Sequence, residues 1–232
     1  MPVFSLNEDI FFPPPHMANP DGILAVGGDL RPERLLLAYE MGIFPWYSED
    51  EPIIWWSPDP RCILEIDELR ITKSMRQVMR NQGFRFSFDQ AFGTVLAHCQ
   101  TIDRKDQLGT WITEEISRAY QHLHDLGFAH SVEVWLDDEL VGGLYGVSLG
   151  KCFFGESMFS KVSNASKAAL IHMTASLKQK GFSWVDCQVY NSHLGRLGAK
   201  NIPRPEFLAR LEQGVNQSTL RGNWGECLQQ EG

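Results

Sequence analysis

The stretch AHSVEVWLDDELVGGLYGVSLGKCFFGESM, residues 129–158, decides the fold. It contains three runs rich in β-branched and aromatic residues, Ala129–Leu136, Leu140–Ser148 and Cys152–Met158, separated by two three-residue segments typical of turns. Runs of this kind joined by short turns predict three consecutive strands that pair antiparallel.

A helix and a further strand follow these three runs. Small and apolar residues recur at helical spacing across Asn164–Lys180, Gly181 stands where a helix would end, and Ser163 or Asn164 is the expected N-cap. Trp184–Val189 has the composition of a strand. Three antiparallel strands, a helix and another strand resemble the sheet of a GNAT-type N-acyltransferase, so the predicted fold class is α/β, in an α+β arrangement. This resemblance concerns the fold alone.

The segment before this unit differs in composition. Residues 1–60 are rich in proline, which disfavours long helices and central strands, and only Pro32–Met41 has the pattern of a helix. We therefore predict a loop-rich N-terminal domain at residues 1–61 and a GNAT-like catalytic domain at residues 62–232. Further elements predicted in the second domain are helices at Thr72–Gln82, Gln90–Cys99 and Thr113–Leu126, a strand at Phe84–Phe88, and two short helices around Leu194 and Phe207.

Charge and cysteine content exclude several classes of protein. The net charge of −8 argues against a general nucleic-acid binder. Two stretches are nevertheless basic and free of acidic residues, from Arg70 to Arg85 and from Cys187 to Pro205, which indicates confined contacts with a polyanion. In the first stretch, Lys73, Arg76 and Arg80 share one helical face.

Neither a metal site nor a targeting segment is expected. The five cysteines are scattered and form no C-x-x-C pair, which predicts reduced core thiols without metal or disulfides. No apolar run reaches the roughly 20 residues of a membrane span, and the N-terminus lacks the features of a signal peptide. We expect a cytoplasmic protein with no membrane association.

The predicted strand Trp184–Val189 carries the candidate catalytic residues. Side chains alternate along a strand, so Asp186 and Gln188 should share one face, about 7 Å apart. A carboxylate can orient or polarise, and an amide can accept from an amine while donating elsewhere. Cys187 should point to the opposite face and lie in the core.

Two other residues are candidates for substrate contacts. Trp46 lies in a proline-restricted turn, where an indole could be core or could stack on a base. Glu156 lies in an apolar, aromatic run, where a carboxylate needs a partner. It could form a structural ion pair or bind a cationic group of a substrate. The loop Ser160–Ser166 contains no glycine, which argues against a coenzyme A donor held in the usual GNAT manner.

Several strings together resemble the bacterial leucyl/phenylalanyl-tRNA–protein transferases, over nearly the whole length from Asn19 to about Pro205. These strings are Phe44–Trp46, Trp55–Arg61, Gly109–Thr113, His130–Trp135, Gly155–Ser160, Asn164–Lys167 and Asp186–Val189. The resemblance implies transfer of Leu or Phe, and less well Met, from aminoacyl-tRNA to proteins that begin with Arg or Lys, which marks them for degradation. It implies no cofactor.

The resemblance also implies residue roles. Trp46 would stack on the terminal adenine of the tRNA, with Met173 on its other side where the family can have phenylalanine, and Trp111 would lie beside the site. Phe153 and Leu170 would line the pocket for the amino-acid side chain. Glu156, Asp186, Gln188 and Asn191 would belong to the reaction centre, and the helix with Lys73, Arg76 and Arg80 would contact the acceptor stem. We expect a monomer.

Two other functions remain open at the level of sequence. One is a GNAT-type acyltransferase that uses another small donor, against which the glycine-free loop argues. The other is a non-catalytic RNA-binding module, against which the polar pair Asp186 and Gln188 argues. Transfer of label from Phe-tRNA to a peptide that begins with Arg would distinguish both from the implied activity.

Overall fold

The computed structural model describes residues 3–101 and 112–228, so Trp111 lies outside the described residues. Two sheets form the framework. The smaller sheet has the strand order β1-β2-β4-β3, with β1 parallel to β2 and the remaining pairs antiparallel. Its strands are β1 (Phe4–Leu6), β2 (Ile23–Gly27), β3 (Phe44–Pro45) and β4 (Ile54–Trp56).

The larger sheet has seven strands in the order β11-β5-β10-β9-β8-β7-β6. Every neighbouring pair is antiparallel except β9 and β10. These two strands are parallel because the helix between them returns the chain to the end of the sheet at which β9 begins. Its strands are β5 (Arg61–Glu65), β6 (Arg85–Phe88), β7 (Ala129–Leu136), β8 (Glu139–Leu149), β9 (Cys152–Ser160), β10 (Trp184–Gln188) and β11 (Lys200–Ile202). The α/β class and the order of three antiparallel strands, a helix and a further strand are therefore confirmed.

Helices cover both faces of the larger sheet. They are α1 (Pro32–Glu40), α2 (Lys73–Asn81), α3 (Phe92–Thr101), α4 (Glu114–Asp125), α5 (Ala165–Gln179), α6 (Ser192–Leu197), α7 (Arg204–Val215) and α8 (Trp224–Cys227), and two single 3-10 turns lie at Pro15–Met17 and Ile66–Glu68. One face packs against α5, whose outer side is covered by α2 through Met75. The other face shares a core with α1, α3, α4, α7 and the smaller sheet.

Local sequence signals explain where most helices begin. Pro32 occupies the first turn of α1, where its missing N–H is not needed. Thr72 and Thr113 cap α2 and α4, since their hydroxyl groups accept hydrogen bonds from the backbone N–H groups of Met75 and Ile116.

The predicted N-cap position of α5 is correct, but its side chain does not cap the helix. Asn164 lies at the N-cap but has a left-handed backbone (φ 71°) and makes no side-chain cap hydrogen bond. The Ser160 hydroxyl, at the end of β9, instead accepts from the backbone N–H of Ser166 at 3.2 Å. Other differences concern the length of α7 and several elements that have no clear signal in the sequence. Helix α7 is 12 residues long instead of short, and β1, β2, β3, β5, β11 and α8 were not predicted.

One buried cluster fixes the C-terminal segment to the sheet. Trp224 is fully buried, its ring stacks on His130 with centroids 3.9 Å apart, and its backbone N–H donates to Asp89 at 2.7 Å. Asp89 also accepts from the backbone N–H of Ser131 and contacts the His130 ring nitrogen at 2.9 Å. Burial holds the pKa of His130 below its usual range, so at neutral pH its ring is uncharged. No helix in the described part of the chain is long and apolar enough to cross a membrane.

Candidate active site

A cavity opens where β9 and β10 separate. The two strands pair only at Phe153 with Val185 and at Phe154 with Asp186. Beyond Asp186 the register of β10 against β5 shifts, and Gln188 adopts a left-handed backbone (φ 61°), which ends the strand. Strand β9 continues to Ser160, so β9 and the segment that follows β10 diverge around a cavity of about 630 Å³.

Most of the predicted site residues line this cavity. They are Trp46, Phe153, Glu156, Leu170, Met173, Gln188 and Asn191. The cavity also has lining residues that were not predicted, namely Leu144, Tyr145, Gly155, Ser157, Met158, Val185, Cys187, Val189, Tyr190, Ser192, His193 and Leu194. Its inner wall is largely apolar, as a pocket for an apolar side chain requires.

Four predicted residues do not line the cavity. Asp186 is fully buried behind its wall. Lys73, Arg76 and Arg80 are exposed on α2, a helix that packs against the outer side of α5. The shared basic face of α2 was thus predicted correctly, and it lies outside the cavity.

Glu156 lies at the centre of a polar cluster in the cavity wall. Its carboxylate accepts from the Tyr39 hydroxyl at 2.8 Å, the Tyr120 hydroxyl at 3.1 Å and the Gln188 amide nitrogen at 2.8 Å. The two tyrosine hydroxyl groups also contact each other. Within residues 3–101 and 112–228, Glu156 has no ion-pair partner, so its partners are uncharged donors and not the structural cation that the sequence left open.

This environment changes the acidity of the cluster. Burial raises the pKa of Glu156 to about 7, assisted by the negative charge of Asp186 and opposed by the hydrogen bonds from Tyr39, Tyr120 and Gln188. Burial and the nearby Glu156 charge raise the pKa of both tyrosines well above their usual value. At neutral pH both tyrosines therefore remain donors, while Glu156 is divided between its charged and neutral forms.

Neither tyrosine was identified from the sequence. Tyr39 and Tyr120 lie at buried positions of two amphipathic helices, where an aromatic residue is ordinarily read as core. Their shared partner, Glu156, is 117 and 36 residues away along the chain, so no local pattern connects them.

Arg61 is the partner of Asp186 and was also missed as a site residue. Its guanidinium donates to both carboxylate oxygens, from Nε at 2.9 Å and from Nη2 at 2.6 Å, and both side chains are at most 1% exposed. The same guanidinium donates to the Gly42 carbonyl at 3.1 Å and lies over the rings of Phe44 and Phe207. It thereby connects the smaller sheet, the larger sheet and α7.

Asp186 controls the backbone at the point where β10 ends. Its Oδ1 accepts from the backbone N–H of Gln188 at 2.9 Å. A left-handed conformation is unfavourable for a residue with a Cβ atom, and this hydrogen bond offsets part of that cost. The Arg61–Asp186 pair consequently positions Gln188, whose side-chain amide in turn reaches Glu156.

The core position predicted for Cys187 is wrong. Cys187 is half-buried and lines the cavity, because the strands separate next to it and expose the face that it shares with Val185. A hydrogen bond with Cys62, together with burial, raises the pKa of the Cys187 thiol well above its usual value. The thiol is therefore neutral near pH 7, which does not suit a nucleophile.

Trp46 is held at the cavity by its backbone. Its N–H donates to the Ile54 carbonyl at 2.9 Å, and its carbonyl accepts from the Trp56 indole at 2.6 Å. The Trp46 ring is half-buried, with the Trp56 ring 5.5 Å away on one side. A fixed and partly exposed indole is suited to stacking on a planar group.

The polar rim of the cavity is formed by residues that follow β10. Asn191 is exposed, and its Oδ1 accepts from the backbone N–H of Leu194 at 2.9 Å, so it caps α6. Its amide nitrogen forms no hydrogen bond with another residue of the described ranges. No group of three or more His, Cys, Asp or Glu side chains in the described ranges is arranged to hold a metal ion.

Comparison with known proteins finds one family over most of the chain. The family model described as "Leucyl/phenylalanyl-tRNA protein transferase" matches residues 63–212, and the model of the N-terminal domain of the same family matches residues 28–59. A leucyl/phenylalanyl-tRNA–protein transferase of Syntrophus aciditrophicus is 58% identical over 97% of this chain and 94% of its own length. One from Flavobacterium johnsoniae is 54% identical over 90% of this chain and 99% of its own length. Among solved structures, an aminoglycoside acetyltransferase is similar over 62% of this chain and 95% of its own, with 12% identity and a TM-score of 0.39.

Proposed function

The chain belongs to the leucyl/phenylalanyl-tRNA–protein transferase family, and from this premise we propose how its cavity selects and joins the two substrates. The protein is an aminoacyltransferase that moves an amino acid from an aminoacyl-tRNA to a protein. Its donor is thus an activated ester, and the reaction replaces the ester bond by an amide bond.

The amino acid carried by the tRNA enters the apolar part of the cavity. Phe153 and Leu170 form this wall, and each is at most 3% exposed. Leucine, phenylalanine and, less well, methionine have unbranched Cβ atoms and suit such a pocket. Because one methylene changes binding by only about 1–3 kcal/mol, discrimination against Val and Ile should be graded.

The acceptor is a protein with an N-terminal Arg or Lys. The half-buried Glu156 carboxylate, held by three uncharged donors, supports this proposal because a cationic group would supply the counter-charge that it lacks among the described residues. Binding of a cation would also favour the charged form of Glu156. The new N-terminal residue would then mark the acceptor for degradation.

Gln188 holds the attacking amine. The observation that carries this step is that the Gln188 amide nitrogen donates to Glu156, an arrangement that fixes the orientation of the amide. No donor to Gln188 Oε1 occurs among the described residues, so this carbonyl is free to accept from the α-amine. Asp186 acts as a positioning residue through the Gln188 backbone.

The chemical task is mainly one of orientation. An α-amine with a pKa near 8 is about one-tenth neutral at pH 7, so an adequate fraction of the nucleophile is already reactive. Alignment of two bound reactants can contribute about 7–11 kcal/mol to lowering the barrier. The neutral amine attacks the ester carbonyl, a C–N bond forms, and the C–O bond to the ribose breaks. The proton that the amine gives up is balanced by the proton that the leaving ribose oxygen takes up, so the products are an amide and a free hydroxyl group. Asn191 donates a hydrogen bond to that oxygen as it leaves.

The remaining contacts concern the tRNA. Trp46 stacks on the terminal adenine, and Met173, which is polarisable, contacts its other side. Trp111 lies outside the described residues and keeps its proposed place beside the site. The exposed residues Lys73, Arg76 and Arg80 contact the phosphates of the acceptor stem.

Three general properties complete the proposal. The chain acts as a monomer, and it works in the cytoplasm, where its aminoacyl-tRNA substrates are made. Its domains are residues 1–61 and 62–232, a division supported by the separate family models for residues 28–59 and 63–212.

A peptide transfer assay tests the proposal. The full chain is incubated with labelled Phe-tRNA and a peptide that begins with Arg, and the label is expected in the peptide. Matched peptides that begin with Glu, or with an acetylated Arg, should remain unlabelled. Transfer to the acetylated peptide would contradict attack by the α-amine, and equal transfer to the Glu peptide would contradict selection of a cation.

A further inference from the structure

Two cations flank the mouth of the cavity. Lys167 lies in the first turn of α5, three residues before the lining residue Leu170. Arg196 lies on α6, three residues after the lining residue His193. Residues three apart on a helix share a face, so both cations are one turn from the cavity wall.

The ion pairs of the described residues leave these two cations unmatched. Lys167 is half-buried, and its Nζ donates to the Asn164 side-chain oxygen at 3.4 Å. Arg196 is exposed, and neither side chain forms an ion pair within the described ranges. Burial lowers the pKa of His193, and the positive charges of Lys167 and Arg196 lower it further. Both cations are therefore close enough to interact with the same cavity-lining residue.

The other members of the second basic stretch are already engaged. Lys200 pairs with Glu68 at 2.9 Å, and Arg204 donates to the Ser57 carbonyl at 2.6 Å. The polyanion contact that the sequence indicated between Cys187 and Pro205 therefore reduces to Arg196, now joined by Lys167 from a different part of the chain.

The location of Lys167 is unfavourable for the free protein. The amino-terminal turn of a helix carries partial positive charge, so a lysine there is repelled by the helix. Such an arrangement is stabilised when an anion arrives with a ligand. The donor is an aminoacyl-tRNA, so the nearest anion to the reacting ester is the phosphodiester that joins the terminal nucleotide to the one before it.

We propose that Lys167 and Arg196, beside His193 at the cavity mouth, bind the phosphodiester groups next to the terminal nucleotide of the donor. This site is separate from the exposed face of α2 and rests on the proposed placement of the aminoacyl ester in the cavity. It would fix the direction in which the single-stranded end of the tRNA enters.

Two minimal donors test the site. Phenylalanyl-adenosine carries the reacting ester and no phosphate, whereas the trinucleotide CCA esterified with phenylalanine adds two phosphodiesters. In Lys167→Gln and in Arg196→Gln, we expect the KM for the trinucleotide donor to rise about tenfold, the size of one lost charge-assisted contact. The KM for phenylalanyl-adenosine should remain unchanged.

Matched variants control for charge and folding. Lys180→Gln removes an exposed lysine at the opposite end of α5 and should leave both KM values unchanged. Lys167→Arg keeps the charge and should restore most of the affinity for the trinucleotide. The urea midpoint of each variant shows whether the fold is intact.

Two results would overturn the phosphate site. One is an unchanged KM for the trinucleotide in both glutamine variants, and the other is an equal rise for the two donors. If the unaltered protein transferred phenylalanine from none of the three donors, Phe-tRNA included, the proposed function itself would be contradicted. This outcome differs from the two results above, so failure of the phosphate site and failure of the function are distinguishable.

Discussion

Replacing Arg61 by methionine should destabilise the protein severely. Arg61 and Asp186 are at most 1% exposed and share two hydrogen bonds of 2.9 and 2.6 Å. Removing one partner of such a pair leaves a buried charge unpaired, which costs about 3–5 kcal/mol. The variant also loses the bond to the Gly42 carbonyl and the contacts with two phenylalanine rings, so we expect the upper end of that range.

The free energy of unfolding is measured by urea titration, with tryptophan fluorescence as the signal and linear extrapolation to zero urea. The control is Arg31→Met, which removes a pair with Asp29 of similar length, 2.9 Å, in which Arg31 is 50% exposed. Water screens the charges of an exposed pair, so the control should change the free energy of unfolding only slightly.

A double-mutant cycle separates the ion pair from the other contacts of Arg61. The double variant Arg61→Met with Asp186→Leu removes both charges and should lose less stability than the sum of the two single changes, by about 0.5–3 kcal/mol. A loss below about 1 kcal/mol for Arg61→Met, or strict additivity of the two changes, would refute the reasoning that the buried charges depend on each other.

Three further changes test the cavity. Burial raises the pKa of Glu156 from its ordinary 4.5 to about 7. Between these pH values the folded protein holds a proton that the unfolded chain releases, so the free energy of unfolding falls as pH rises through that window. Glu156→Gln should remove this pH dependence, as measured by urea titrations at pH 5 and pH 7.5. Trp46→Ala should raise the KM for Phe-tRNA about 5- to 150-fold, which corresponds to the loss of about 1–3 kcal/mol of stacking, and Trp46→Phe should retain most of the affinity. Equal KM values for the alanine and phenylalanine variants would argue against stacking. Leu170→Phe fills part of the apolar wall and should lower kcat/KM for Phe-tRNA about tenfold more than for Leu-tRNA in competition assays; an unchanged ratio would show that this wall does not contact the amino acid.

Five strands of the larger sheet, β6 to β10, could be predicted because their signals are local. The three runs from Ala129 to Ser160 have strand composition and are separated by turns, and Thr113 supplies a cap that fixes the beginning of α4. Such signals depend on residues within one turn or one strand of each other, so the sequence is sufficient to place them.

The hydrogen bonds and the ion pair of the site could not be predicted in the same way. The Arg61–Asp186 pair and the Tyr39–Glu156 bond join residues 125 and 117 positions apart, and no local period links them. The left-handed backbone at Gln188 has no signature either, because glutamine rarely adopts it and only tertiary contacts hold it there. The opening between β9 and β10 follows from this turn, and with it the exposure of Cys187.

The position of β5 has a consequence for how the protein folds during synthesis. This strand lies between β10 and β11, so its partners are made about 120 and 140 residues after it. At about 5–20 residues per second, the ribosome needs roughly 6–25 seconds to produce the first of them. During that time the β7–β8–β9 hairpins can already form, whereas the apolar segment Cys62–Leu64 has no strand to pair with and is open to association with other chains. Insertion of β5 is thus a late event, and it completes the Arg61–Asp186 contact and the cavity together.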